Sequence, residues 1–358
     1  MPSTFYSVPL DDDEYEYNLL KFSSEKISQN QIPIVYRDEY NIKFSLGLEN
    51  LFKFPYHTKR SSKVIQWLNI PSFKLFSPNK ISNQDLALVH NSQYLQNIEN
   101  NHKEIMARIM DEGITTARGE KIFTPRVLAS CGCFRTKILD SFKYQTGGTI
   151  LAALLAIKRG WSINIGGGFH DASGVLDGQR FCFYADVKLA THFVFETFPH
   201  LVKKILIIDL DAHPGIGIAY DFTADNSNDV YILDIYNKDL CHQEITSKFF
   251  IRKKIEVQSF TMDKEYLNFV QSNVEESLAA IDPDFVIYIA GTGVLRGDQF
   301  GKVSVSRRGI FERDEIVFEN VMRRRNIPIT MLMCEGQNST CFAESISNLK
   351  NKKYIDWV

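Results

Sequence analysis

A few short stretches of this chain carry the side chains from which chemistry could be built. The stretch "DLDAH" spaces Asp209, Asp211 and His213 two residues apart, so on an extended chain all three lean to one side. A carboxylate and an imidazole at this spacing suit a divalent metal such as zinc, which accepts both kinds of ligand. Asp209 could instead hold an imidazole in the required tautomer. The same motif is equally compatible with an aspartate capping a helix and a buried, hydrogen-bonded histidine. In "INIGGGFHD", an apolar run and three glycines deliver His170 and Asp171. "AGTG" ends at Gly293, and "MCEGQ" carries Cys334, Glu335 and Gln337.

These stretches share a position: each follows a short apolar run. The spacing predicts strands over 161–168, 204–213, 229–236, 284–291 and 327–333. It predicts helices over 61–68, 146–160, 183–198, 264–281, 307–325 and 339–349, and helical spacing over 83–101. Continuous apolar strands alternating with helices imply a parallel sheet covered on both faces. Ligands of such sheets bind beyond the carboxyl ends of the strands, so the four motifs should converge on one cleft. Residues 1–31, with the acidic block "LDDDEYEYN", read as a flexible tail, and residues 32–358 as one domain.

The 358 residues are 44% hydrophobic and 23% charged, which suits a soluble globular protein, and the formal net charge of −2 gives no basic field for direct nucleic-acid binding. The six cysteines form no CxxC pair, and free thiols in a reducing compartment are expected. No apolar run reaches the length of a membrane span. An intracellular protein of the nucleus or cytoplasm is expected.

Taken together, "QTGGTI", "RGWSINIGGGFH", "FCFYADVKLA", "IIDLDAHPGIG", "AGTGVLRGD" and "VSVSRRGIFERDEIVF" resemble a class IV histone deacetylase, with ordered matches from Pro33 to Leu349. The resemblance implies the three-layer arginase/deacetylase fold, a central parallel sheet of about eight strands flanked by helices. It also implies a lineage that uses zinc to remove acetyl or longer acyl groups from lysine. In that lineage Asp211 and His213 match metal ligands, His170 matches the first active-site histidine, and Asp209 supports it.

The departures from the family pattern are as informative as the matches. Gly293 stands where the family's third zinc ligand, an aspartate, would be. Asp171 replaces the second histidine of the pair, and Ile216 replaces a polar partner near it. Gln337 stands in place of the tyrosine that polarises the scissile carbonyl. In the acyl-lysine tunnel Phe181 is kept, while Arg180 replaces a glycine. A metal ligand, a base and an oxyanion donor lost together point to abandonment of the hydrolysis. The expected protein is an inactive pseudo-deacetylase with a scaffold, regulatory or ligand-binding role. Its partners would be an acylated-lysine protein or a chromatin-associated complex. No cofactor is expected unless the site is rebuilt, with Asp171, Cys334 or Glu335 completing a zinc set. The alternative is an active zinc-dependent deacylase with such a rebuilt site. For the unmatched side chains, the bland reading makes Asp171 a turn cap, Glu335 solvated and Cys334 buried.

Overall fold

The computed structural model describes residues 12–25, 28, 30–42, 52–53, 59–101, 115–116, 132–175, 182–225, 228–241, 251–336 and 338–357. The strands are β1 (Ile34–Val35), β2 (Phe52–Lys53), β3 (Thr115–Thr116), β4 (Trp161–Asn164), β5 (Ile205–Asp209), β6 (Val230–Asn237), β7 (Lys253–Val257), β8 (Phe285–Ile289) and β9 (Ile329–Leu332). The helices are α1 (Asp12–Phe22), α2 (Arg60–Leu68), α3 (Asn83–Leu86), α4 (Ser92–Asn100), α5 (Gly132–Arg159), α6 (Asp186–Thr197), α7 (Ile216–Ala224), α8 (Asp263–Ile281), α9 (Arg307–Phe318) and α10 (Ser339–Asn351).

Seven strands form one sheet in the order β1-β4-β9-β8-β5-β6-β7, and every neighbouring pair is parallel. Among the described residues the sheet thus holds seven strands, where about eight were expected. The remaining strands, β2 and β3, pair with each other in a separate antiparallel ribbon. One edge strand, β7, is absent from the sequence reading: its residues alternate between exposed and half-buried, so it lacks the continuous apolar run that marks the interior strands.

Alternate residues of each interior strand feed opposite cores. Ile205, Ile207 and Ile287 join the cluster containing α5 and α6, while Leu206, Ile208 and Val286 join the cluster containing α8 and α9. This is the period of two of a strand buried on both faces, and it explains why the sequence there reads as an unbroken apolar run. Two caps fix the helices behind the strand ends. The Ser306 hydroxyl accepts the Gly309 N–H at the start of α9, and the Asn338 side-chain Oδ1 accepts the Cys341 N–H at the start of α10.

Several sequence expectations are revised. Residues 12–22 do not form a loose tail: α1 buries Tyr15, Leu19 and Phe22 against the α5–α6 core, and Phe22 meets the Phe193 ring edge-on at 4.8 Å. The acidic composition hid the apolar stripe that these three residues form at spacings of four and three. The expected helix over 83–101 is two helices, α3 and α4, the second begun by Asn91, whose side chain accepts the Gln93 N–H. The helix expected from Thr146 already starts at Gly132. The helix ending near Arg325 passes into a wider turn at Glu319–Arg323. Among the described residues no helix is long and apolar enough to cross a membrane.

Candidate functional site

The four motifs do meet. Strands β4, β9, β8 and β5 are neighbours in that order, so Gly168–Asp171, Cys334–Gly336, Gly291–Gly293 and Asp209–His213 emerge side by side at their carboxyl ends. Parallel pairing is what makes this possible, because every strand then ends on the same edge of the sheet.

His170 is fully buried, and its Nδ1 lies 2.7 Å from Oδ2 of Asp209. That pairing leaves the other ring nitrogen, Nε2, facing the cleft without a hydrogen-bond partner, 3.9 Å from Oδ1 of Asp211. Burial alone would lower the His170 pKa, but the carboxylates of Asp209, Asp171 and Asp211 outweigh it and hold the ring well above its usual value. Asp209 is the last residue of β5, and its Oδ1 accepts the Asp211 N–H at 3.0 Å. One carboxylate therefore orients the histidine from β4 and shapes the turn that carries the next motif residue.

Past the strand end, Asp211 Oδ1 accepts the His213 N–H at 3.0 Å and lies 3.3 Å from His213 Nδ1. Its second oxygen, Oδ2, is buried without a hydrogen-bond partner. Burial pushes the Asp211 carboxyl up, but the His213 hydrogen bond and the nearby His170 charge leave it below its usual range. Its neighbours behave oppositely: burial dominates at Asp209 and at Asp234, raising both.

Glu335 is the side chain that changes the reading of this cleft. It is buried, with 8% of its surface exposed, so the expectation of a solvated glutamate is corrected. Its Oε2 lies 3.7 Å from His213 Nδ1, and its Oε1 lies 3.9 Å from the Cys182 thiol. Burial raises its pKa, with His213 opposing and Asp211 reinforcing the shift. The backbone explains this placement. Cys334, which precedes it, has φ of 49°, a left-handed conformation rare for a residue with a side chain. The Cys334 N–H donates to Gly167 O at 3.1 Å, its thiol donates to Gly168 O at 3.0 Å, and its carbonyl accepts both Arg60 Nη groups at 3.1 Å. The Glu335 carbonyl accepts the Thr292 N–H at 2.9 Å. The ends of β4 and β8 and one helix thus hold the turn after β9 that sends the carboxylate inward.

The other candidates divide clearly. Asp171 is 2% exposed, and its carboxylate belongs to a cluster with Cys182 and Glu335 whose donor atoms lie within 4.8 Å of one another. It faces the cleft and not only its own turn. Gly293 sits directly beside Asp211: a Cβ built there would lie 3.3 Å from Asp211 Oδ2. A side chain at 293 would therefore enter the site, and glycine offers none. Among the described residues, the donors of His170, Asp211 and Glu335 lie within 4.8 Å of one another, and position 293 adds none. Ile216 opens α7. Gln337, Phe181 and Arg180 lie outside the described residues.

The sequence reading missed three supporting residues. Asp234, inside the apolar run of β6, accepts the Gly215 N–H at 2.9 Å. Asp186, at the start of α6, accepts the N–H groups of Gly168 and Phe169 at 2.7 and 2.9 Å and so holds the glycine loop. Arg313 of α9 is fully buried and donates to the carbonyls of Leu210, Ala290 and Gly291 at 3.4, 3.2 and 2.6 Å, while pairing with Asp314 at 2.8 Å. An aspartate in an apolar run and an arginine in a helix that also packs on the core were the available signals.

Comparison with known proteins agrees with this fold. The family model described as the histone deacetylase domain matches residues 54–350. Histone deacetylase 2 of Arabidopsis thaliana is 37% identical over 333 residues, covering 91% of this chain and 80% of that protein. An uncharacterised protein of Picosynechococcus is 25% identical over 292 residues, covering 81% of this chain and 87% of its own length. The crystal structure of an HDAC homolog complexed with SAHA superposes with a TM-score of 0.63 at 16% identity, covering 89% of this chain and 82% of that one. At that identity the likeness speaks for the fold.

Proposed function

The chain belongs to the histone deacetylase family, and on that premise we propose that it is a class IV member that has given up the family's acyl-lysine hydrolysis. The observation that carries this reading is Gly293, which adjoins Asp211 Oδ2 with no donor atom to offer. A zinc hydrolase needs three protein ligands and an open fourth position, because the bound ion lowers the pKa of the attacking water and polarises the scissile carbonyl. The inherited set supplies two ligands.

Two further substitutions support the same reading. Asp171 stands where the family has its second histidine, and a misplaced acid–base group costs on the order of 10²–10⁴ in rate. Gln337 stands in place of the carbonyl-polarising tyrosine, and loss of such a donor costs on the order of 10²–10³. The retained fold would then act as a scaffold, a regulatory subunit or a binder, engaging an acylated-lysine protein or a chromatin-associated complex in the nucleus or cytoplasm.

The test is turnover of acetyl- and longer acyl-lysine peptides by the full chain beside an Asp211→Asn variant. Equal rates, both at background, are expected. Turnover that Asp211→Asn abolishes would overturn the proposal. It would favour a second reading, an active deacylase with a rebuilt metal site, for which the inward-facing Glu335 carboxylate is the specific support.

A further inference from the structure

The cleft holds two orphaned polar atoms that the loss of hydrolysis does not explain. His170 Nε2 and Asp211 Oδ2 belong to fully buried side chains and have no hydrogen-bond partner. Buried polar atoms are nearly always paired, and each exception asks for a physical reason. The two side chains share a cluster with Glu335: a donor atom from each of His170, Asp211 and Glu335 falls within 4.8 Å of the others. His213 Nδ1 adjoins the same group, at 3.3 Å from Asp211 Oδ1 and 3.7 Å from Glu335 Oε2.

We propose that His170, Asp211, His213 and Glu335 form a four-donor site for one divalent cation of the zinc type, in which Glu335 takes over from the empty position at 293. Four ligands at bonds of about 2.0–2.1 Å in a tetrahedron stand about 3.3 Å apart. The approaches of 3.3, 3.7 and 3.9 Å are each within an ångström of that spacing, and the donors of His170, Asp211 and Glu335, which fall within 4.8 Å of one another, have up to about 1.5 Å to close. Each donor is already oriented. The Asp209 carboxylate holds Nδ1 of His170 and turns the opposite ring nitrogen inward, the carboxylate–histidine arrangement by which proteins aim a metal-binding imidazole. The Cys334 turn, tied by Arg60 and Thr292, aims Glu335. Two imidazoles and two carboxylates suit zinc better than magnesium or calcium, whose sites are built of oxygen.

The number of donors has a consequence. A site with four protein ligands is closed, as in structural zinc centres, whereas a catalytic zinc keeps a position for water. The cation would then hold the ends of β4, β5 and β9 together. This inference rests on the cleft geometry and not on the loss of hydrolysis, and its test uses no substrate.

The full chain is stripped with a chelator and titrated with Zn²⁺ alone, by calorimetry and by thermal unfolding. One equivalent bound with a raised Tm is expected. Glu335→Gln, which keeps shape and removes charge, should bind Zn²⁺ more weakly by on the order of 100-fold. Absence of stoichiometric zinc on folded protein, or unchanged affinity in Glu335→Gln, would overturn the site. Co²⁺ in the unaltered chain supplies a reading independent of the variant's folding. An intense visible spectrum of four-coordinate Co²⁺ supports the site, and a weak six-coordinate spectrum overturns it. Peptide turnover would overturn the loss of hydrolysis, whereas a failure to bind metal would overturn this site and leave that reading standing.

Discussion

The Glu335 carboxylate stands 3.7 Å from Nδ1 of His213, joining the ends of β9 and β5 across the intervening β8. This approach brings a carboxylate from the β9 end into the cleft. The glycines around it show how closely the same space is fitted.

A Cβ at Gly291 would lie 1.8 Å from Asp211 Oδ2, whereas one at Gly293 would lie 3.3 Å from that atom and from the Ala212 methyl. Gly291→Ala is therefore expected to displace the Asp211 carboxylate and destabilise by about 3 kcal/mol or more, as overpacked cores do. Gly293→Ala should cost about 1 kcal/mol or less. Urea unfolding of the two variants side by side checks the contrast, and equal losses would refute it.

Phe22 anchors α1 on the Phe193 ring at 1% exposure. Phe22→Ala should cost about 3–5 kcal/mol, the usual range for a buried aromatic reduced to alanine. A change under about 0.5 kcal/mol in the denaturation midpoint analysis would mean that residues 12–22 contribute nothing to the fold.

Arg313 ties three carbonyls from the β5 and β8 ends while neutralising buried Asp314. Arg313→Met leaves that carboxylate without its charge partner, and the expected loss is about 3–5 kcal/mol. The double variant Arg313→Met with Asp314→Asn should recover part of this, which distinguishes the orphaned charge from lost packing.

His90, which caps the residue before Asp186, supplies a pH prediction. Burial pushes its pKa down to about 4, and the neutral ring's Nε2 accepts the Ala185 N–H at 2.9 Å. The unfolded chain binds this proton near pH 6.5 and the folded chain only near 4. Stability from this group is thus complete above about pH 6.5 and falls as the pH drops toward 4, by up to about 3 kcal/mol. Unfolding midpoints measured between pH 7.5 and 4.5 should fall less steeply in His90→Gln. An unchanged slope would show that His90 titrates alike in both states.

Much of the site is legible in the sequence because of a physical constraint on parallel strands. Buried on both faces, they must be apolar throughout, so the polar residues that end them stand out. Asp209, Asp211, His213 and His170 announced themselves in this way, and their shared position after apolar runs already implied one cleft. The alternation of strands and helices also foretold the layered parallel sheet. Asp234 escaped because it lies within such a run, and β7 because an edge strand half in solvent has no such run.

What the chain's residue order determined, then, is the family, the layered sheet, and the polar residues Asp209, Asp211 and His213 that end one of its strands, with a glycine at 293. Only the tertiary structure decided where Glu335 points. Its direction depends on the left-handed turn at Cys334 and on hydrogen bonds from Arg60 and Thr292, partners that are distant in sequence and meet only once the sheet has formed. The same holds for α1, whose acidic composition suggests solvent and whose three apolar side chains find their partners on α5 and α6. A side chain's environment is set by its neighbours in space, and for these residues the neighbours come from elsewhere in the chain.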